Sequence, residues 1–139
     1  MPTGPRLFFD ANVLFTAAHN PHGKAAFLFD AAKLGHWRLL SSAYTIEEAR
    51  RNIAAKYPQC SERLEVLVGE VKVGPQPATT QSPVIALPEK DLPVFLAACA
   101  AGASHLLTGD LKHFGPHMNR PLESLGLVIQ TVADFLKGL

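Results

Sequence analysis

The chain has 139 residues, of which 47% are hydrophobic, so it can bury one core but is too short for two domains of ordinary size. Thirteen basic and twelve acidic residues leave a formal net charge of +1, which excludes a protein that holds nucleic acid by bulk positive charge alone. We therefore expect a single domain over residues 1–139, with only local contacts to any nucleic acid.

Cysteine content and hydropathy indicate the compartment. Cys60 and Cys99 are too few for a disulfide framework, which favours a reducing cytosol. The N-terminal segment MPTGPRLFFDANVLF lacks the uninterrupted apolar stretch of a signal peptide, and no apolar run approaches membrane-spanning length. We expect a cytoplasmic protein with no membrane contact.

Apolar runs and helical periodicities alternate through the first half of the chain. The run Leu7-Phe8-Phe9 has no polar alternation, as is typical of a strand buried on both faces. Gly35 and Pro58 are each placed to end a helix. The predicted elements are strand 7–9, helix 24–34, strand 37–40, helix 45–57, a short helix 64–68 and strand 71–73.

The second half begins with a segment, 74–88, whose Pro, Thr, Gln and Ser content predicts a long loop with a brief extended piece at 84–87. The elements predicted after it are helix 91–101, strand 105–107, strand 126–129 and helix 132–136. Strands that alternate with helices, without hairpin signals, predict an α/β fold whose mostly parallel sheet is covered on both faces.

Four acidic residues are predicted to meet at one edge of that sheet. Asp10 and Asp110 closely follow strands, Asp91 opens the helix that leads into the strand before Asp110, and Glu48 lies in the first turns of a helix after the second strand. Carboxylates so close repel one another unless a cation lies among them. Their oxygen donors suit Mg²⁺ or Mn²⁺, which indicates phosphodiester hydrolysis without a covalent intermediate.

Four segments resemble the motifs of the PIN-domain family, in the family's order and over nearly the whole chain. They are FFDANVL at 8–14, SAYTIEEARR at 42–51, KDLPVFLAA at 90–98 and HLLTGDLKHF at 105–114. Each motif alone is weak, but four with fitting spacing are a strong signal.

The resemblance implies a three-layer α/β/α Rossmann-like fold and a metal-dependent endoribonuclease activity. For small stand-alone bacterial members it implies the role of a VapC toxin with a cognate antitoxin protein, and homodimers are common among such relatives. The acidic site carried over as catalytic and metal-binding is Asp10, Glu48, Asp91 and Asp110, with Asn12 and Thr108 as supporting polar groups. We expect cleavage of single-stranded or loop RNA, because the bases of an A-form helix are poorly accessible.

Each acidic residue also has a purely structural interpretation. Asp10 and Asp110 are common residue types in turns after strands, and Asp91 is a favoured helix N-cap. Glu47 and Glu48 both lie off the apolar face of their helix. Because Glu47 has Arg51 four residues on as an ion-pair partner, Glu48 is the better candidate ligand.

The other polar and aromatic candidates are weaker. Thr108 and Asn12 can hold a carboxylate or only stabilise local backbone. His113 and His117 have the spacing of a helical zinc pair, but Gly115 and Pro116 lie between them and would break the helix, which argues against a zinc site. The residues considered for RNA contact are Arg50, Arg51, Lys112, His113 and Arg120, and the aromatic rings next to motifs are Phe15 and Phe114. No substrate-binding residue is assigned.

Two other classes of function remain open from sequence. One is a PIN-like module that binds RNA or protein with little catalysis. The other is a phosphotransfer domain of similar topology, but a phosphatase of that kind needs an aspartate where Asn12 stands. A receiver domain needs a phosphoacceptor after the third strand, where this chain has Val73-Gly74-Pro75.

Overall fold

The central sheet of the protein is parallel throughout. The structure, a computed structural model, describes residues 4–78 and 85–139. In these ranges five strands pair in the order β3-β2-β1-β4-β5, and every neighbouring pair is parallel. The strands are β1 (Arg6–Phe9), β2 (Arg38–Ser42), β3 (Lys72–Gly74), β4 (His105–Leu107) and β5 (Val128–Gln130). The expected extended piece at 84–87 begins outside the described residues, and residues 85–87 form no strand.

Six α-helices connect and cover these strands within the described ranges. They are α1 (Ala11–His19), α2 (Lys24–Lys33), α3 (Ala43–Lys56), α4 (Ser61–Val68), α5 (Leu92–Ala100) and α6 (Val132–Lys137). None of them is long and apolar enough to cross a membrane.

The core lies in two layers, one on each face of the sheet. Leu7 and Phe9 of β1 pack into one hydrophobic cluster with residues of α1 and α2, whereas Phe8 points into the other with residues of α5. Alternate side chains of a strand point to opposite faces, so a fully apolar strand requires helices on both sides. The predicted α/β fold with three layers is therefore confirmed.

Helix α1 is a correction to the sequence expectation, which placed no helix between the first strand and residue 24. It packs against α2, α3 and α4 along one face. The buried residues are Ala11, Val13, Leu14, Ala17 and Ala18. These positions recur at helical spacing along one face, so the periodicity that predicts a helix is present in the sequence.

Trp37, expected in the second strand, instead precedes it. Its buried indole donates a hydrogen bond from Nε1 to the Leu28 carbonyl at 2.9 Å, which ties α2 to the start of β2. Large aromatic side chains with a polar atom are commonly fixed in this way when they are buried. The expectation of a core position for Trp37 is thus confirmed, although its backbone is outside the strand.

Candidate functional site

The candidate site lies where the chain order of the sheet reverses. From β1 the chain continues to β2 and β3 on one side, and later adds β4 and β5 on the other. The Asp10 amide donates to the Leu107 carbonyl at 3.1 Å, so Asp10 stands beside the end of β4. In open α/β sheets the loops beyond the carboxyl ends of the strands form a crevice at this point.

Asp10 is held by three donors although it is almost fully buried. Only 5% of the surface of Asp10 is exposed. One carboxylate oxygen accepts from the Ala11 amide at 2.7 Å, and the other accepts from the Thr108 hydroxyl at 2.8 Å and from Asn12 Nδ2 at 3.3 Å. Asp10 is therefore the N-cap of α1 as well as a member of the site, so the structural and functional interpretations of this residue coexist.

Asn12 and Thr108 connect the ends of the two central strands. The Asn12 amide donates to Thr108 Oγ1 at 3.2 Å and accepts from the Gly109 amide at 2.7 Å. The Thr108 hydroxyl also accepts from the Asp110 amide at 3.1 Å. These bonds fix both Asp10 and the start of the loop that carries Asp110.

Burial raises the pKa of Asp10 from 3.8 to about 6, despite the opposing effect of hydrogen bonds from Thr108 and Ala11. The charges of Glu48 and Asp91 raise it further. These two carboxylates therefore lie near enough to repel the Asp10 charge. A neighbouring cation would stabilise the charged form of a carboxylate in such surroundings.

Asp91, Asp110 and His113 form the tightest cluster of potential ligands. Each offers one donor atom, and the three atoms lie within 4.8 Å of one another. His113 Nδ1 is 2.8 Å from Asp91 Oδ2 and 3.0 Å from Asp110 Oδ2. Burial raises the pKa of Asp91; the charge of His113 lowers it and the charge of Asp110 raises it.

Asp91 occupies the N-cap position of α5 but does not cap the helix. Its side chain makes no capping hydrogen bond, so the helix-cap interpretation from sequence is wrong for the side chain. Instead, the buried atoms Asp91 Oδ2 and His113 Nδ1 face each other at 2.8 Å, and neither has an aligned hydrogen bond among the described residues. Buried polar atoms in proteins nearly always have a partner, so this pair is unusual.

Glu47 is paired with a neighbouring arginine, whereas the charge of Glu48 acts on Asp10. Glu47 Oε2 lies 3.4 Å from Arg50, which also holds Glu65 of α4 through two nitrogens at 2.9 and 2.8 Å. The partner of Glu47 is thus Arg50 and not the predicted Arg51. Arg50 thus pairs with two carboxylates on this outer surface.

Tyr44 is a site-positioning residue that sequence analysis missed. Its hydroxyl donates to the Lys90 carbonyl at 2.8 Å, which ties the start of α3 to the approach of α5. Burial raises the pKa of Tyr44, and the charges of Glu48 and Asp91 raise it further. The only sequence signal was its place in the second motif, one turn before Glu48.

An open groove runs beside the acidic cluster. Its lining includes Tyr44, Lys90 and His113. The Lys90 charge lowers the pKa of Asp91, which places this cation next to the carboxylates. Arg120, which was considered for RNA contact, lies 3.6 Å from Glu123.

A divalent cation fits the residues present. Two carboxylates and an imidazole converge, and two of their donor atoms are buried without another partner among the described residues. Asp10 is close enough for its charge to interact with Asp91. Oxygen-rich sets of this kind are typical of Mg²⁺ and Mn²⁺.

The fold and this cluster define a class: a parallel α/β protein with carboxylates at the switch point of its sheet. The PIN domain family matches the chain over residues 6–112, and the chain belongs to that family. Among curated proteins, no match is found.

Solved structures show the same fold at low sequence identity. The chain is similar to a structure of VapBC2 from Rickettsia felis bound to a DNA fragment from their promoter, with a TM-score of 0.60 and 13% identity over 91% of this chain and 98% of that one. It is also similar to VapBC-1 from nontypeable Haemophilus influenzae, with a TM-score of 0.55 and 17% identity over 92% of this chain and 98% of that one.

Proposed function

We propose that this chain is a metal-dependent endoribonuclease that uses Mg²⁺ or Mn²⁺, and that it is the toxin of a VapBC-type pair. The observation that carries the proposal is the convergence of Asp10, Asp91 and Asp110, with Glu48 beside them, at the point between β1 and β4 where the strand order reverses. Membership of the PIN domain family and the VapBC structural relatives support it.

The residues of the site have two proposed roles in hydrolysis, which are to bind the cation and to transfer a proton. Asp91 and Asp110 would hold the cation, together with Asp10, whose carboxylate is fixed by Thr108 and Asn12. When bound, the cation neutralises charge that develops on the phosphate and makes water a better nucleophile. Glu48 is half-buried at the edge of the cluster, where it can orient the attacking water and accept its proton.

The groove beside the cluster is the proposed path of the RNA. The Tyr44 ring offers a surface on which a base can stack, and Lys90 offers a cation for a phosphate. Because stacking needs an unpaired base, we propose a single-stranded or loop substrate. Local contacts of this kind agree with a chain whose net charge is only +1.

Substitution at the two strand ends tests the activity. Asp10→Asn and Asp110→Asn should each abolish cleavage of a labelled single-stranded RNA in Mg²⁺ or Mn²⁺, because each removes a charge facing the cation. Asp30→Asn, at an exposed aspartate of α2, is the matched control and should cleave at the wild-type rate. Circular dichroism checks that every variant is folded.

Two outcomes contradict the proposal. Retained cleavage by both site variants would refute the assignment of the residues. A wild-type protein that binds RNA but does not cleave it in either metal would identify a binding module instead, since such a module needs no cation at this edge.

The antitoxin and the cytoplasmic setting are further parts of the proposal. Both cysteines are free thiols, in keeping with a reducing compartment. Co-expression with the product of the adjacent reading frame should yield a complex in which cleavage is suppressed. If that product is neither a binder nor an inhibitor, the toxin role fails while the nuclease assignment stands. The mass of the free chain in solution tests the proposed homodimer.

A further inference from the structure

We infer that His113 is a direct ligand of the proposed cation, so that the site has a mixed nitrogen and oxygen donor set that favours Mn²⁺ over Mg²⁺. The inference rests on the proposed metal site, but it concerns a residue that is not one of the four acidic residues proposed for that site. The structural basis is the placement of His113 Nδ1 between Asp91 and Asp110.

The distances around His113 match those between ligands of one ion. Nδ1 lies 2.8 Å from Asp91 Oδ2 and 3.0 Å from Asp110 Oδ2. Adjacent ligands of an octahedral ion with bonds of about 2.1 Å are roughly 3 Å apart. Asp91 is 8% exposed, and its Oδ2 is directed into the cluster without a hydrogen bond among the described residues.

The backbone holds the imidazole in this position. The His113 amide donates to Asp110 Oδ1 at 3.1 Å, and the Phe114 amide donates to the Asp110 carbonyl at 3.1 Å. Phe114 is fully buried in the core cluster beneath α5 and anchors the turn. Asp110 Oδ1 therefore accepts a hydrogen bond within its own loop, while Oδ2 lies beside the imidazole ring.

A different role for His113 is a protonated counter-ion between the two carboxylates. A protonated Nδ1 would donate to a carboxylate and its charge would lower the pKa of Asp91, but the 2.8 Å contact with Asp91 Oδ2 lacks the alignment of a hydrogen bond. As a ligand, Nδ1 instead presents its lone pair while the proton resides on Nε2. The two roles predict opposite effects of removing the ring on cation affinity.

A nitrogen donor changes the choice of metal. Mg²⁺ binds oxygen and water almost exclusively, whereas first-row transition ions also accept imidazole. The wild-type chain should therefore bind Mn²⁺ more tightly than Mg²⁺. Loss of the imidazole should reduce that preference.

Electron paramagnetic resonance of Mn²⁺ bound to the full chain, without RNA, tests the inference directly. We expect hyperfine coupling to a ¹⁴N nucleus in the wild type that is lost in His113→Gln. His117→Gln is the matched control, because His117 lies four residues on and faces the Ala86 carbonyl at 2.8 Å. Labelling the intact chain with ¹⁵N-histidine should convert the signal to ¹⁵N coupling, which needs no substitution.

Calorimetry with Mn²⁺ and Mg²⁺ gives the second readout. His113→Gln should lower Mn²⁺ affinity by at least about tenfold and Mg²⁺ affinity by less. Higher affinity in the variant would establish the counter-ion role and overturn the inference, as would absence of nitrogen coupling in the wild type. Manganese bound without nitrogen, together with RNA cleavage, would overturn only the inference; nitrogen-ligated manganese without cleavage would overturn only the proposed function.

Discussion

The two edges of the parallel sheet carry charges in opposite ways. At the amino edge, Arg6, Arg38 and Lys72 begin β1, β2 and β3, and all three are exposed. At the carboxyl edge, Asp10 and Asp91 are buried, and their like charges repel. Solvated charges cost little, whereas buried like charges need a compensating partner. Function is therefore to be expected at the carboxyl edge, although the whole chain is nearly neutral.

The largest effect expected from this comparison is a difference in RNA cleavage rate between variants of two adjacent residues of α3. Glu48→Gln should slow RNA cleavage by about 10³-fold, since it removes a charge from the reacting edge. Glu47→Gln should remain within about twofold, because Glu47 is held outside the cluster by Arg50. Single-turnover cleavage rates measure both. Equal losses would contradict the assignment of Glu48 over Glu47.

Stability should depend on pH and cation together. The folded pKa of Asp10 is about 6 and its ordinary value is 3.8, so between these values the folded state binds more protons than the unfolded state. The contribution of Asp10 to stability is highest below 3.8 and falls as pH rises through 6, by roughly 3 kcal/mol.

Bound Mn²⁺ should reverse that loss, so its stabilising effect should be larger at pH 7.5 than at pH 5. Thermal unfolding with Mn²⁺ and with chelator measures the difference at each pH. In Asp10→Asn, the stabilisation by Mn²⁺ should differ much less between the two pH values. Equal stabilisation at both pH values in the wild type would show that Asp10 does not face the cation.

A smaller effect is expected from Thr108→Val. The hydroxyl donates to Asp10 and accepts from Asn12 and Asp110, so its loss leaves buried groups unpaired at a cost of about 2 kcal/mol. Thr131→Val, which removes the N-cap of α6, is the control and should cost about 1 kcal/mol. Urea unfolding measures both. The variant at 108 should also weaken Mn²⁺ binding, whereas the control should not.

The smallest effect is expected at the amino edge. Arg38→Gln should change the free energy of unfolding by less than about 0.5 kcal/mol and leave Mn²⁺ affinity unchanged, because the side chain is exposed. The same unfolding and calorimetric measurements apply. A large loss of affinity would mean that the two edges do not act independently.

The sequence was informative wherever one residue type decides local structure. Leu7-Phe8-Phe9 could be assigned to a buried strand, since three consecutive apolar residues need cover on both faces. Helix α1 was not predicted although its buried residues recur along one face, because three of the five are alanines, which give only a weak apolar signal. The contacts of this face with α2, α3 and α4 become evident only in the folded chain.

The same contrast holds for the site. Asp10, Asp91 and Asp110 could be placed at one edge by counting strands, because parallel topology fixes where strand ends lie. His113 could not be placed with them, since its position depends on a turn closed by Asp110 and anchored by Phe114. From sequence, His113 was considered for a zinc pair with His117, against which Gly115 and Pro116 argue, and for RNA contact.

The pairing of β1 with β4 has a consequence for folding. Leu7 pairs with His105, so the central strand acquires one of its two neighbours from a segment almost a hundred residues later in the chain. During synthesis this edge of β1 has no partner until β4 emerges. Such long-range closure predicts slow refolding, with an early intermediate prone to aggregation, even though each helix can form quickly.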